Sequence, residues 1–215
     1  MKIYDQINLD EMKGRVYVMS DLHINHMNVI KYGRRPFENV EEMNRSILDE
    51  LHRVLQPEDY LFDLGDMFWE MKAPEIDDIL KTINVKRFYK VVGNHDKTTF
   101  YMGPQAVLAK RFTLVADIID CRVRFGGERL FVSFCHYPLL EWNHKSRGGL
   151  CIQGHSHGAL DAFNADSHDL RLEIGYDSTI AKELGTFLIP LDEIIRKFKE
   201  KVGDKTFYDW ANMEF

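Results

Sequence analysis

Five short apolar segments of this chain are each followed by aspartate, histidine or asparagine, and this pattern limits the folds that the chain can adopt. The segments are RVYVMS (15–20), DYLFDL (59–64), KRFYKVV (86–92), the second strand of the hairpin CRVRFGGERLFVSF (121–134) and GGLCIQ (148–153). Segments of this length and composition are typical of buried strands. Because α/β sheets place their binding sites at the carboxyl ends of strands, we expect the polar residues to meet in one pocket.

The order of the predicted elements favours two mixed sheets over one doubly wound sheet. The first half follows the order β-α-β-α-β and includes a helix over 40–55, for which Asn39 is the N-cap and Glu42 completes a capping box. The second half predicts a hairpin that turns at Gly126-Gly127, then further strands and a last amphipathic helix. We therefore predict an α/β fold of two mixed sheets packed face to face, flanked by helices, in a single domain over residues 1–215.

Composition argues against several classes of protein. The 215 residues are 45% hydrophobic and 29% charged, as in an ordinary globular protein. No apolar run reaches the roughly 18 residues of a membrane span and the first residues resemble no signal peptide, so we expect a cytoplasmic protein without membrane contact. The three cysteines form no C-x-x-C pair, which predicts neither disulfides nor a thiolate zinc site. A net charge of −6 argues against extended nucleic-acid binding, so an anionic ligand needs a local positive centre.

The segment CIQGHSHG places two histidines at alternate positions. In an extended segment His155 and His157 point the same way, about 6.5 Å apart. Paired metals in hydrolases lie about 3.5–4 Å apart, so each histidine can reach one ion. Asp21 and His23 have the same spacing, and Asp66 has two carboxylate oxygens with which it can bridge both ions. The pattern predicts a pocket for two metals.

The succession of D-x-H, G-D, G-N-H-D, a lone histidine and G-H-x-H resembles the motifs of the calcineurin-like metallophosphoesterases. The resemblance runs from about residue 15 to about residue 195, and HMNVIKYGRRPFENVEEMN and HYPLLEW resemble small bacterial and phage-type members without a cap domain. It implies an α-β-β-α sandwich with a binuclear centre. The residues that would hold one ion are Asp21, His23, Asp66 and His157. Those that would hold the other are Asp66, Asn94, His136 and His155. The Met-Phe-Trp that follows Asp66 departs from the longer signature of phosphoprotein phosphatases and argues against a Ser/Thr protein phosphatase.

The resemblance also implies two catalytic residues. In the family the histidine of G-N-H-D protonates the leaving oxygen and the next aspartate orients its ring, which makes His95 the general acid and Asp96 its partner. Nitrogen and oxygen ligands without sulfur suit two divalent transition-metal ions, with Mn²⁺ favoured and Fe, Zn, Co or Ni as alternatives. Two divalent ions carry a charge of about +4, and the carboxylates of Asp21 and Asp66 reduce it to about +2. The remaining charge would bind a bridging hydroxide and a phosphate oxygen.

Four further residues are candidate substrate contacts, each with an ordinary structural alternative. His26 follows His23 closely but could be a surface residue at a helix start. Arg34 and Arg35 could clamp a phosphate, although short charged runs are usually solvated. Trp142 could stack a base, but core packing is the commoner role of tryptophan.

The predicted function is a metal-dependent phosphoesterase that acts on phosphodiesters of small or nucleotide-like molecules, by attack of a metal-bridged hydroxide with His95 as general acid. A phosphomonoesterase or pyrophosphatase is the alternative among enzymes. A metal-bound scaffold for partner proteins is the alternative outside enzymes, but a scaffold has no use for a general acid. A processive nuclease is disfavoured by the acidic balance. The sequence leaves the oligomeric state open.

Overall fold

The computed structural model describes residues 5–213, which form two five-stranded sheets and the helices that connect their strands. The strands are β1 (Asp5–Asn8), β2 (Val16–Met19), β3 (Tyr60–Asp63), β4 (Arg87–Val91), β5 (Leu114–Ala116), β6 (Ile118–Phe125), β7 (Glu128–Cys135), β8 (Leu150–Gln153), β9 (Arg171–Glu173) and β10 (Ile189–Pro190). The helices are α1 (Met27–Tyr32), α2 (Val40–Val54), α3 (Ala73–Leu80), α4 (Thr98–Tyr101), α5 (Asp161–Asp166), α6 (Thr179–Leu184), α7 (Leu191–Val202) and α8 (Phe207–Ala211).

One sheet has the strand order β10-β2-β3-β4-β5. Strands β2 to β5 are parallel to one another, and β10 is antiparallel to β2. All four residues of β2 are buried, as are most residues of β3 and β4. Burial on both faces explains why β2 is a continuous apolar run. The neighbouring strands β3 and β4 each bury one charged residue, Asp63 and Lys90, which pair at 2.7 Å. Since the three central strands are parallel, their carboxyl ends lie at the same edge of the sheet.

The other sheet has the order β1-β6-β7-β8-β9. Its β6–β7 hairpin turns at Gly126 and Gly127, whose φ angles of 59° and 79° favour glycine, as the sequence predicts. Strands β7, β8 and β9 are parallel, so their carboxyl ends also share one edge. The sequence analysis did not predict β1 and β5.

The two sheets pack against each other through a common apolar core. Phe62 of β3 stacks on Phe134 of β7 with ring centroids 4.3 Å apart, and Val18 and Val132 belong to the same buried cluster. A second buried cluster includes Met43 of α2 and lies on the outer side of the first sheet. This arrangement of two mixed sheets with flanking helices confirms the predicted fold class. No helix within residues 5–213 is long and apolar enough to cross a membrane.

The predicted cap of α2 is present in a modified form. The Asn39 side chain accepts the Glu42 N–H at 2.9 Å, as predicted. The Glu42 carboxylate accepts the N–H of Glu38 at 2.8 Å, whereas a regular capping box would use the N–H of Asn39. The helix therefore begins where the sequence predicts it, with the reciprocal bond one residue earlier.

Candidate metal centre

The first group of possible metal ligands consists of Asp21, His23 and His157, at the ends of β2 and β8. One ligand atom from each lies within 4.8 Å of the others. The two Nε2 atoms of His23 and His157 are 3.2 Å apart, and Asp21 Oδ1 lies 3.9 Å and 3.8 Å from them. Asp21 Oδ1 is buried and has no hydrogen-bond partner among the described residues. A buried, unpartnered carboxylate oxygen beside two imidazole nitrogens fits a divalent cation.

The second group lies beside the first. Ligand atoms of Asp21, Asp66 and His136 also lie within 4.8 Å of one another. His136 Nε2 is 3.3 Å from Asp66 Oδ2 and 2.9 Å from Asn94 Oδ1. Asn94 Oδ1 is in turn 2.8 Å from His155 Nδ1. The structure therefore brings together the residues expected for the second ion, and Asp21 is common to both groups. A bridge from Asp66 to the first group stays a prediction.

The backbone at five of these residues has a conformation that side chains rarely adopt. Positive φ angles of 57°, 51°, 56°, 75° and 50° occur at Asp21, His23, Asp66, His155 and His157, respectively. Such residues cost on the order of 1–3 kcal/mol each and cluster at functional sites, where the rest of the fold holds them. Aspartate and histidine tolerate this region better than most residues. The chain thus turns sharply at each strand end to direct the side chain into the pocket.

Two glycines allow loops to approach the carboxylates. A Cβ atom at Gly154 would collide with the Asp21 carboxylate and with the hydroxyl of Ser20. A Cβ atom at Gly93 would collide with Asp66 Oδ1. At both positions only glycine lets the backbone come this close to the carboxylate.

The ring orientations of His136 and His157 are fixed by atoms outside the pocket. His136 Nδ1 donates to the Leu64 carbonyl at 2.8 Å, which leaves Nε2 facing the second group. His157 Nδ1 lies 2.8 Å from Asp177 Oδ2 and donates to that carboxylate. The sequence analysis did not identify Asp177. The signal was present, since a glycine and an aspartate follow β9 much as Gly65-Asp66 follows β3.

The environment favours the protonation states that metal binding requires for several ligands. Burial lowers the pKa of His23 to about 3. Burial, together with His136, also lowers the pKa of His155. Burial alone would raise the pKa of Asp66, but the His136 hydrogen bond and the His95 N–H hold it well below its usual range. Neutral imidazoles and an ionised carboxylate are the forms that bind a metal.

His95 stands at the exposed rim of this pocket. Its ring centroid lies 4.5 Å from that of Trp69 and 5.5 Å from that of His23. Its backbone N–H donates to Asp66 Oδ1 at 2.8 Å, so the residue is attached to the metal-binding loop while its side chain remains exposed. An exposed ring beside the ligands is positioned to exchange a proton with a bound molecule.

The expectation that Asp96 orients the His95 ring is wrong. Asp96 is buried, and its Oδ2 accepts the N–H groups of Gly93 at 2.9 Å and Asp66 at 3.1 Å. The same oxygen lies 2.7 Å from the buried ammonium of Lys90. Among the described residues no hydrogen bond joins the Asp96 carboxylate to the His95 ring. Asp96 instead ties the two loops that carry Asp66 and Asn94 to each other.

The four predicted substrate contacts have different positions. His26 lies beside the site, because its ring stacks on Trp69 with centroids 3.7 Å apart and lies 5.3 Å from the His23 ring. Arg34 is exposed, with a φ of 51°. The indole N–H of Trp142 donates to the Gly149 carbonyl at 2.8 Å, and Trp142 lines a different groove, with none of the metal-ligand candidates. The predicted base stacking on Trp142 therefore finds no support in its surroundings.

Arg35 does not face the pocket, which corrects the predicted phosphate clamp. The residue is 5% exposed, and its guanidinium binds both oxygens of Asp177, at 3.0 Å and 2.9 Å. Its remaining donors bind the backbone carbonyls of Leu22 and Asp21, each at 2.7 Å. Because the protein itself occupies these donors, none is left for a substrate phosphate.

The two packed sheets and the groups of possible metal ligands at their strand ends have the layout of the calcineurin-like phosphoesterases. Residues 14–207 match the family model described as calcineurin-like phosphoesterase, and the chain belongs to this family.

Two relatives add to this comparison. An uncharacterised protein of Methanocaldococcus jannaschii is 39% identical over 84 residues, which are 39% of this chain and 47% of that protein. The chain thus matches about half the length of this relative. The crystal structure of AQ665, a protein of unknown function from Aquifex aeolicus, is similar with a TM-score of 0.61 and 24% sequence identity, over 86% of this chain and 100% of that one. This likeness shows the fold alone.

Proposed function

We propose that the protein hydrolyses phosphodiesters of small or nucleotide-like molecules with two transition-metal ions, Mn²⁺ being favoured, and with His95 as general acid. The observation that carries the proposal is the adjacency of two ligand groups that share Asp21, with the exposed His95 ring at their rim. The histidines of both groups favour transition metals over Ca²⁺.

Each of the two groups would hold one metal ion. Asp21, His23 and His157 would hold one ion, and Asn94, His136 and His155 would hold the other, with Asp66 beside His136. Bound ions would supply a Lewis-acid centre that activates water and neutralises phosphate charge. In a chain of net charge −6, this centre would also be the local attraction for an anion.

His95 supports a diester in particular. The alkoxide that leaves a diester is a strong base, so its departure benefits from a proton donor, whereas an activated monoester needs one less. The His95 ring packs against Trp69, on which His26 stacks, and the three rings form one wall of the pocket rim. We propose that this wall contacts the substrate. Exposed Arg34 is a second possible contact, and the partners expected are small phosphate esters rather than extended nucleic acids.

A substrate screen tests the proposal. Purified protein with Mn²⁺ is assayed on bis(4-nitrophenyl) phosphate, cyclic nucleotides, 4-nitrophenyl phosphate and pyrophosphate, beside His23→Ala and the control His52→Ala. His52 is exposed on α2 and bonds to Thr82, outside the ligand groups. We expect turnover of diesters that His23→Ala loses and His52→Ala keeps. Turnover of monoesters or pyrophosphate alone would assign the alternative enzyme, and two tightly bound ions without any turnover would assign a scaffold.

A further inference from the structure

We propose that Asp177, held by Arg35, is a positioning residue that sets the affinity of one of the two metal ions, the one held by Asp21, His23 and His157. The inference rests on the proposed binuclear centre and assigns a role to two residues outside its ligand groups. It also predicts that the two ions respond differently to the same substitution.

The contact between Asp177 and His157 is direct and enclosed. Asp177 is 2% exposed, and its Oδ2 lies 2.8 Å from His157 Nδ1. This bond fixes the proton on Nδ1 and turns Nε2 toward His23 Nε2, 3.2 Å away. A carboxylate that accepts the outer N–H of a ligating imidazole raises the basicity of the inner nitrogen.

Arg35 holds the carboxylate of Asp177 in place. Its Nε and Nη2 bind the two Asp177 oxygens at 3.0 Å and 2.9 Å, which is a bidentate pair. The Arg35 guanidinium also lies over the Tyr176 ring, 4.0 Å from its centre. The ring covers one face of the guanidinium and limits its movement.

The same guanidinium reaches the segment that carries the other ligands of this ion. Arg35 Nη2 donates to the Asp21 carbonyl and Nη1 to the Leu22 carbonyl, each at 2.7 Å. One side chain therefore connects the partner of His157 to the backbone that positions Asp21 and His23. Such a connection fixes the distance between ligands from two different sheets.

In the second group, no carboxylate among residues 5–213 accepts the outer N–H of His136. His136 Nδ1 donates to the backbone carbonyl of Leu64, a neutral acceptor that Asp177 does not contact. Loss of the Asp177 charge should therefore lower the affinity for the ion held by Asp21, His23 and His157. The affinity for the ion near His136, Asn94 and His155 should stay almost unchanged.

The experiment is a calorimetric titration of the full chain, stripped with chelator, with Mn²⁺. Asp177→Asn keeps the size and an oxygen acceptor but removes the charge, and Arg35→Lys keeps a charge but cannot make the bidentate pair. Arg111→Lys is the matched control, because Arg111 also makes a bidentate pair, with Asp77, and neither residue belongs to a ligand group. We expect the wild type to bind Mn²⁺ at two sites. In both test variants the Mn²⁺ affinity of the site formed by Asp21, His23 and His157 falls about 10- to 100-fold, and in the control neither affinity changes.

A second measurement needs no metal. The ¹⁵N shifts of the His157 ring report which nitrogen carries the proton, and we expect the Nδ1–H form in the wild type and a mixture in Asp177→Asn. A variant that merely loosens the fold would lower both affinities together and the melting temperature with them, and this result would overturn the inference, as would unchanged affinities. A wild type that binds a single ion would refute the binuclear centre, while selective weakening of that ion in Asp177→Asn would still support the role of Asp177.

Discussion

The Nε2 atoms of His23 and His157 lie 3.2 Å apart, although the two residues are 134 positions apart in the chain. Both outer nitrogens are enclosed, because Asp177 binds Nδ1 of His157 and Nδ1 of His23 is buried. Two imidazole lone pairs directed at a common point repel each other unless a proton or a cation lies between them. A cation at this point would remove the repulsion, which supports the proposed metal centre.

Chelation should therefore abolish activity. We expect that EDTA treatment followed by dialysis removes turnover and that Mn²⁺, Co²⁺ or Ni²⁺ restores it far better than Ca²⁺, because imidazole prefers transition metals. The measurement is diester hydrolysis against added metal, with elemental analysis of the dialysed protein. Full activity in metal-free protein would refute the proposed centre.

Substitution of Asp21 should reduce the content of both metals. Asp21 belongs to both ligand groups, and Asp21→Asn removes one negative charge from each of them. We expect fewer than two ions per chain and a large loss of rate, whereas Asp209→Asn, an exposed helix-cap variant on α8, keeps both. Retention of two ions at wild-type affinity in Asp21→Asn would show that Asp21 is not a shared ligand.

That the candidate ligands come together could be predicted from the sequence, because each lies in a short local pattern at the end of a strand. The sequence could not show whether Arg35 binds substrate or Asp177. The Arg35–Asp177 pair joins residues 142 positions apart and depends on how the loops pack. Asp96 was misassigned for the same reason, because its partners Lys90 and Asp66 become visible only when β3 and β4 are side by side. Strand β1 escaped prediction because its four residues include only one buried side chain.

Trp69 should matter for catalysis and Trp142 should not. Trp69 packs against the rings of both His26 and His95, so Trp69→Ala leaves the proposed acid without its neighbour and should lower kcat/KM by roughly 10- to 100-fold. Trp69→Phe should retain much of the rate because a ring remains. Trp142→Ala is the control, since Trp142 bonds to Gly149 and lines another groove. Equal effects of the two alanine variants would contradict the assigned wall of the rim.

Glu173 should make the metal-free protein less stable at higher pH. It is fully buried, and burial raises the pKa of its carboxyl to about 7, from 4.5 in the unfolded chain. The stability that goes with the neutral carboxyl is fully present below pH 4.5. It is lost as the pH rises through 7, because ionisation of a buried carboxyl disfavours the folded state.

Glu173→Gln stays neutral and can still accept the N–H of Gly158. At pH 8 the free energy of unfolding of the variant should exceed that of the wild type by up to about 3 kcal/mol, since one pKa unit corresponds to about 1.4 kcal/mol. Near pH 4.5 the two free energies should be equal. Urea denaturation in chelator at both pH values measures this. The exposed residue Glu200, changed to Gln, serves as control. A difference independent of pH would show that ionisation of Glu173 is not the cause.

His95→Asn tests whether the exposed ring donates a proton. The variant should keep both metals, because His95 belongs to neither ligand group, and should lose about 10²–10⁴ in rate on a diester with an alkoxide leaving group. A nitrophenolate departs without a proton, so the loss on a nitrophenyl diester should be much smaller. The quantity to compare is the ratio of kcat/KM, wild type over variant, for two diesters that differ only in the pKa of the leaving group. Because Asp96 does not hold the ring, Asp96→Asn should reduce both rates alike by disturbing the loops of Gly93 and Asp66. Equal losses in His95→Asn on both diesters, with metal content intact, would exclude acid catalysis and leave His95 as a residue that positions the substrate.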